Sequence, residues 1–328
     1  MSSSTSEASE NYYLTDLALE AAQRLRGEGG GNVPGVTVNE LDVQGISVTR
    51  VQVTDEGAQN VGKAPGNYIT IQAPELKYRN PRYSQQVSAV LTQELQRLLP
   101  LAANAQVFVV GLGNWRAVAD SLGPRVASKV YVTRHLGEFL PAELVGGLRP
   151  VSSLSPGVLG ITGIETTEVV HSVVQQLKPD ALIAVDALAA MDIERIMTTI
   201  QIADSGIHPG SGLGTKRLGL TRQTLGIPVI AIGVPTVVHA VTIAANTIDL
   251  LVRTMAQQVQ YMRFMQPMAA INKRDLIQQV LGQAVGNLVV TPKEVDVDIE
   301  EVARVIAGGL NGALHPGIEQ SEVMDYIR

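Results

Sequence analysis

The sequence contains no cysteine, which excludes disulfide bonds, thiol nucleophiles and cysteine-ligated metal sites. Aromatic residues are also scarce at 4%, although hydrophobic residues make up 45% of the 328 positions. The core must therefore be built mainly from Val, Ile, Leu and Ala, a composition that suits buried parallel strands covered by helices. Charged residues account for 17%, as expected of a folded globular chain.

Positive charge is in short supply as well. The formal net charge is −6 and the isoelectric point about 5.4, so the basic surface of a nucleic-acid-binding protein is missing and no direct nucleic-acid partner is expected. The first residues lack a basic stretch followed by an apolar one, so no signal peptide is predicted. The most apolar region, 227–252, is interrupted by proline, glycine and polar residues, which indicates a strand, a turn and a helix and no membrane partner.

The order of elements along the chain predicts an α/β fold. Residues 1–16 are expected to be mobile, and 17–328 to form a single α/β domain with a helical C-terminal part. Strands are predicted at 46–54, 68–73, 107–111, 129–133, 181–186 and 227–233. Helices are predicted at 14–26, 84–99, 165–177, 237–262, 274–285 and 299–314. This alternation favours three layers, with a largely parallel central sheet flanked by helices.

Two acidic residues follow predicted strands, where open α/β sheets bind their ligands. Asp186 ends the apolar strand 181–186, and Asp120 follows the strand 107–111 after a short loop. A carboxylate is costly to bury unless it is paired, hydrogen-bonded or protonated. In one cleft, repulsion and burial would separate the two pKa values, so that one carboxylate could activate water while the other protonates a leaving amine.

Other interpretations of the same residues remain open. Asp186 could cap a helix beginning at Ala187, and Asp120 could cap a turn. A metal site formed by Asp120, Asp186 and His208 is a further alternative, although the five histidines form no H-E-x-x-H motif. The chain also lacks a G-x-S-x-G nucleophile motif. The glycine-rich stretch 208–217 is interpreted as a mobile surface or active-site loop.

Seven longer segments resemble the germination protease family of endospore-forming bacteria: VVGLGNW, ADSLGP, VTRHL, SPGVLGITGIET, AVDALAA, TTIQIADSGIHPGSGLG and LGIPVIAIGVPTVV. The resemblance implies an α/β fold related to the hydrogenase-maturation peptidases, and an aspartic-type endopeptidase that needs no cofactor. It also implies small acid-soluble spore proteins as substrates, degraded early in germination, a homotetramer, a zymogen stage, and a cytoplasmic location in the forespore and spore core.

The family's essential aspartates match Asp120 in ADSLGP and Asp186 in AVDALAA. Supporting or substrate-binding roles are predicted for residues of the same segments: Asn114, Glu165, His208, Gly210, Ser211 and Thr236. Two positions depart from the family pattern, since Met191 stands where arginine is usual and His239 where aspartate is usual.

The N-terminus resembles a substrate of this family. Family substrates are cut after an acidic residue in a Thr-Glu-(Phe or Ile)-Ala-Ser-Glu motif, and residues 15–20 read Thr-Asp-Leu-Ala-Leu-Glu. The resemblance therefore implies self-cleavage of the bond between Asp16 and Leu17, with residues 1–16 as the propeptide and 17–328 as the peptidase domain. The alternative is that Thr15 or Asp16 only caps a helix. For the whole chain, the alternatives are a metal-dependent peptidase of the hydrogenase-maturation type and a non-catalytic spore-protein-binding module.

Overall fold

A mixed central sheet organises the chain. The computed structural model describes residues 16–21, 23, 33–139, 148–208, 218–256 and 288–318. The strands of the sheet are β1 Val36–Val43, β2 Ile46–Val53, β3 Gly66–Gln72, β4 Val107–Gly111, β5 Val151–Leu154, β6 Ala181–Ala190, β7 Thr199–Ala203, β8 Val229–His239 and β9 Val289–Val290. Their order is β1-β2-β3-β7-β8-β6-β4-β5, with β9 paired to β8. The predicted α/β class, with helices flanking a central sheet, is confirmed.

The sheet has a parallel and an antiparallel half, so the prediction of a largely parallel sheet is wrong for strands β1, β2, β3 and β7. The four strands β5, β4, β6 and β8 are parallel, and they come from the part of the sequence in which strands and helices alternate. The strands β1, β2, β3 and β7 pair antiparallel. The β1–β2 connection has only two residues, Gln44 and Gly45, both with positive φ, which is the geometry of a tight hairpin and leaves no room for a crossover helix.

Helices cover both faces of the sheet. They are α1 Asp55–Val61, α2 Pro81–Leu98, α3 Leu122–Ala127, α4 Leu136–Phe139, α5 Leu159–Thr162, α6 Thr166–Leu177, α7 Arg222–Leu225, α8 Ala240–Ala256 and α9 Val295–Leu314. Alternate residues of β4 face opposite layers, as the pleat of a strand requires. Val107 and Val109 join the core cluster that includes α2 and α9, whereas Phe108 and Val110 pack with Val170 of α6 on the other face.

Helices α2 and α9 pack closely against each other. The Ser88 hydroxyl donates to the Val305 carbonyl at 2.9 Å, and the Thr92 hydroxyl donates to the Gly309 carbonyl at 3.0 Å. A Cβ atom at Gly309 would lie 2.6 Å from the Leu91 side chain, so only glycine allows this approach. Among the described residues, no helix is long and apolar enough to cross a membrane.

Several predicted boundaries differ from the observed ones. The strand predicted at 129–133 is wrong, because the Tyr131 N–H donates to the Asn311 side chain of α9 instead of to a neighbouring strand. Strands β6 and β8 run four and six residues past the predicted ends at 186 and 233, so the helix predicted from 237 begins at Ala240. Of the helix predicted at 14–26, residues 18–21 and 23 are described and helical. The helix predicted at 274–285 lies outside the described residues.

Candidate active site

A cavity of about 780 Å³ opens beyond the carboxyl end of β4, where ligands were expected, and beside the residues of β6 and β8 that neighbour this end, although both of these strands continue past it. Its volume is in the range of ordinary ligand sites. The polar and charged residues that line it include Asp16, Lys63, Asn114, Asp120, Asp186, Gln201 and His208. Both predicted catalytic aspartates and the acid of the predicted cleavage site therefore border one space.

Two glycines bring Asp120 close to strand β6. At Gly123 in α3, a Cβ atom would lie 2.2 Å from the Leu112 carbonyl oxygen and 2.4 Å from that of Val185. At Gly113, which has φ +112°, a Cβ atom would lie 2.1 Å from the carbonyl oxygen of Asp120. The absence of these side chains lets the loop after β4 and the start of α3 pack directly onto the strand ends, which sets Asp120 beside the strand that carries Asp186.

Asp186 lies within β6, where it pairs with Gly233 of β8. Because Ala187 continues the strand, the helix-capping interpretation of Asp186 is wrong. The Asp186 carboxylate accepts a hydrogen bond from the Ala187 N–H at 2.9 Å. Burial raises the pKa of Asp186 well above its ordinary value, and the negative charge of Asp120 raises it further.

Asp120 ends a short 3-10 helix, Val118–Asp120, and its carboxylate accepts the backbone N–H of Asn114 at 2.8 Å. Burial raises the pKa of Asp120, whereas the Asn114 N–H opposes this by stabilising the ionised form. The pKa values of both carboxyl groups are thus raised by burial, and for Asp186 the negative charge of Asp120 is a second cause. Two carboxyl groups whose environments separate their pKa values can take different roles as base and acid.

The segment Asp16–Glu20 is bound along the end of β6. The Asp16 N–H donates to the Ala189 carbonyl at 2.9 Å, and the Asp16 carboxylate accepts the Ala189 N–H at 2.8 Å. The side chains of Leu17, Ala18, Leu19 and Glu20 are all buried. The predicted cleavage site thus begins at Asp16, which lines the cavity together with Asp120 and Asp186.

Gln201 of β7 contacts this segment on both sides of the Asp16–Leu17 bond. Its side-chain Nε2 donates to the Asp16 carbonyl oxygen at 3.3 Å, and its Oε1 accepts the Ala18 N–H at 2.7 Å. The second contact fixes the orientation of the amide, since only the oxygen can accept. The carbonyl that would be attacked therefore has a side-chain donor directed at it.

The other predicted site residues have varied positions. His208 lines the cavity, as does Asn114, whereas Glu165 and Thr236 do not. Glu165 is the residue that precedes α6. Thr236 is the extra residue of a bulge in β8, opposite Leu188 and Ala189, and its carbonyl accepts the Thr291 hydroxyl.

Gly210 and Ser211 lie outside the described residues. Within the described part of the chain, no group of three His, Cys, Asp or Glu side chains is arranged to hold a metal ion, although Asp120, Asp186 and His208 border the same cavity.

Three residues of the site were not predicted: Lys63, Arg195 and Gln201. Gln201 could have been found from the sequence, because a long polar side chain stands between two isoleucines in the segment TIQIA. In the structure it is almost fully buried. A buried amide requires hydrogen-bond partners, which pointed to a polar contact at that position. Lys63 follows α1, and Arg195 ends a 3-10 helix, Ile193–Arg195, with no distinctive sequence pattern. Only the tertiary fold brings Lys63 to the cavity and the Arg195 Nε within 3.1 Å of the Glu20 carboxylate.

Comparisons with known proteins agree with these observations. A family model described as germination protease matches residues 14–266 and 254–327. The chain is 48% identical to a germination protease of Caldanaerobacter subterraneus, with 95% of this chain and 97% of that protein covered. It is 42% identical to a germination protease of Clostridium tetani, with 95% and 98% covered. Among solved structures, it is similar to the NiFe hydrogenase maturation protease HycI of Thermococcus kodakarensis, with 18% identity, a TM-score of 0.33, and 67% of this chain and 98% of that one covered.

Proposed function

Since the chain belongs to the germination protease family and is a peptidase, we propose that it is an endopeptidase whose two aspartates activate water and that it processes its own N-terminus. The observation that carries the proposal is the position of the Asp16–Leu17 segment. This segment is bound at the cavity that Asp120 and Asp186 line, with a donor directed at the Asp16 carbonyl.

Asp120 is the general base in this proposal and Asp186 the general acid. The support is electrostatic, because the pKa of Asp186 is raised well above that of an ordinary carboxyl group, whereas the Asn114 N–H stabilises ionised Asp120. The protonated group can donate to a leaving amine, and the ionised one can accept a proton from water.

The hydrolysis then follows in two proton transfers. Asp120 takes a proton from water as the water oxygen bonds to the Asp16 carbonyl carbon, and the carbonyl oxygen gains the negative charge. Gln201 donates to that oxygen. Asp186 gives its proton to the Leu17 nitrogen as the carbon–nitrogen bond breaks, which leaves a carboxyl at Asp16 and an amine at Leu17. Proton exchange with solvent restores both aspartates.

The biological setting is proposed from the family. The name germination protease and the sequence resemblance support small acid-soluble spore proteins as substrates, a zymogen made in the forespore, and a homotetramer in the spore core. The bound segment supports the zymogen, because a substrate-like stretch that occupies the site would exclude other substrates until it is cut. A chain that begins at Leu17 should then act on spore proteins without a lag.

The test uses the full chain and two isosteric variants, Asp120→Asn and Asp186→Asn. Each protein is made by cell-free synthesis, and its intact mass is followed with time. The wild-type chain is expected to lose residues 1–16, and both variants are expected to stay uncut. Cooperative thermal unfolding of each variant would show that it is folded. Asp42→Asn is the matched control and should be cut at the wild-type rate, because it changes an exposed carboxylate near the end of β1.

Each other result has a defined meaning. A folded Asp120→Asn or Asp186→Asn chain that is cut at the wild-type rate would contradict the aspartate pair. If the wild-type chain stays intact, and if it binds an added spore protein without cutting it, the peptidase proposal is refuted and the non-catalytic binding module is supported.

A further inference from the structure

Glu20, four residues after the predicted cut, occupies a small anion site of its own. Its side chain is fully buried, and each carboxylate oxygen has a backbone donor. The Met191 N–H lies 2.8 Å from one oxygen, and the Asp192 N–H lies 3.1 Å from the other. The Arg195 Nε lies 3.1 Å from the oxygen that Asp192 contacts. A buried carboxylate is stable only with such partners.

The site is continuous with the catalytic cavity. Met191 and Asp192 directly follow β6, the strand that carries Asp186 and that binds Asp16 through Ala189. The end of β6 and the residues after it therefore bind the segment at two places. The first is beside the predicted scissile bond, and the second is at the fourth residue beyond that bond. Between Leu17 and Ala21 only Glu20 has a charged side chain, so the second binding place recognises a carboxylate.

Two positive side chains, Arg195 and Lys63, lie near this part of the segment, and the Asp192 carboxylate lies 3.8 Å from the Arg195 Nε. The Arg195 side chain is 13% exposed, and its Nη2 also donates to the Gln23 side chain at 3.0 Å. Lys63 lines the cavity nearby, and although burial lowers its pKa, the negative charges of Asp16 and Glu20 oppose that shift. A glutamine in place of Glu20 would leave the guanidinium without its ion-pair partner and would keep an acceptor for only one of the two backbone N–H groups.

We propose that Arg195, with the N–H groups of Met191 and Asp192, is the subsite that binds the glutamate which the family's substrate motif has four residues after the scissile bond. The inference rests on the proposed peptidase function and adds a specificity-determining residue to it. In the full chain the subsite binds the protein's own Glu20, and in the processed enzyme it binds the matching glutamate of a second substrate.

The experiment changes the substrate, so that the enzyme's own folding is unaffected. Processed wild-type enzyme is given the peptides LTDLALEAAQR, LTDLALQAAQR and LTDLALDAAQR in a concentration series that reaches the millimolar range. The glutamate peptide is expected to have a kcat/KM on the order of 10- to 100-fold above the glutamine peptide, the factor for losing hydrogen bonds to a charged group. The aspartate peptide should resemble the glutamine one, because its carboxylate is one methylene shorter.

The partner variants identify the residue responsible. Processed Arg195→Gln enzyme should cut the glutamate and glutamine peptides with nearly equal kcat/KM, whereas Arg79→Gln, which breaks an ion pair with Asp298 of α9, should keep the full discrimination. In the full chain, Glu20→Gln and Arg195→Gln should each slow self-cleavage, and the double variant should be no slower than either.

The outcomes separate the two proposals. If the full chain never cuts itself and cuts no peptide, the peptidase proposal fails, and the subsite fails with it. If self-cleavage proceeds but the processed wild-type enzyme cuts both peptides equally, or cuts neither, the subsite alone is refuted. Discrimination that persists in Arg195→Gln would also refute it, because the guanidinium would then have no part in reading the carboxylate.

Discussion

Gln201 offers the sharpest test of the chemistry, because its amide contacts both sides of the bond that would break. Two substitutions separate the contacts. Gln201→Glu keeps an oxygen to accept the Ala18 N–H but has no donor for the Asp16 carbonyl when ionised. Gln201→Met keeps the approximate length and removes both contacts. The wild-type distances are 2.7 Å to Ala18 and 3.3 Å to Asp16.

These distances set the expected size of each effect. At 3.3 Å the bond to the Asp16 carbonyl is longer than an ordinary N–H···O bond, so it contributes little while the carbonyl is neutral. It shortens and strengthens as negative charge develops on the oxygen, and removing such a donor typically costs about 10²–10³ in rate, or about 2.7–4 kcal/mol. Loss of the 2.7 Å contact instead leaves the Ala18 N–H without an acceptor, at about 1–3 kcal/mol in binding of the segment.

Single-turnover self-cleavage measures both effects. Gln201→Glu should slow the first-order rate about 10²-fold while the segment remains bound. Gln201→Met should be slower still, and its Leu17–Glu20 amides should exchange hydrogen faster. A folded Gln201→Glu chain that cuts itself within twofold of the wild-type rate would refute the idea that this amide stabilises the developing oxyanion.

Three further predictions concern stability. The raised pKa of Asp186 means that the folded state binds its proton more tightly than the unfolded state, so this group lowers the free energy of unfolding as pH rises above the unfolded pKa. Asp186→Asn should therefore be more stable than wild type near pH 7, and the difference should vanish in acid. Urea titrations at several pH values measure both free energies. If Asp186→Asn and wild type were equally stable at every pH, the raised pKa of Asp186 would be contradicted. Arg149 donates to the Leu101, Ala102, Ala313 and Leu314 carbonyls, so Arg149→Lys should lower the free energy of unfolding by about 2–4 kcal/mol, and an unchanged urea midpoint would contradict this. Gly123→Ala should lower it by about 1–3 kcal/mol or more and also slow self-cleavage, because the new methyl meets two backbone carbonyls; a wild-type melting temperature would show that α3 does not pack as closely as described.

The sequence predicted the parallel half of the sheet better than the antiparallel half. Strands β4, β6 and β8 are runs of apolar residues buried on both faces, and such runs are visible without a structure. Strand β1 was not predicted, because most of its side chains are at least partly exposed and polar residues are common in it. The segment 129–133 has the residues of a strand but donates to α9, a contact between parts of the chain about 180 residues apart that no local pattern reveals.

The site divides in the same way. Asp120 and Asp186 were predicted because each lies at or after the end of a predicted strand and in a distinctive motif. The structure brings both to one cavity, although Asp186 lies within β6. Gln201 and Arg195 were not, because their roles depend on which segment docks beside them. Hydrogen bonds between residues more than 170 positions apart, such as those of Glu20 to Met191 and Asp192, arise only when the N-terminal segment is bound beside the end of β6.

The burial of Leu17 gives the processed enzyme an unusual product. Leu17 belongs to the main core cluster, and Ala18 and Leu19 belong to the cluster beneath β1, β2 and β3. After the cut, this half of the substrate remains covalently part of the enzyme, so it cannot diffuse away and competes at an effective concentration of about millimolar. A spore protein must displace it to be cut, so the new N-terminus should act as a built-in competitive inhibitor that raises the apparent KM for spore proteins without delaying the start of their cleavage.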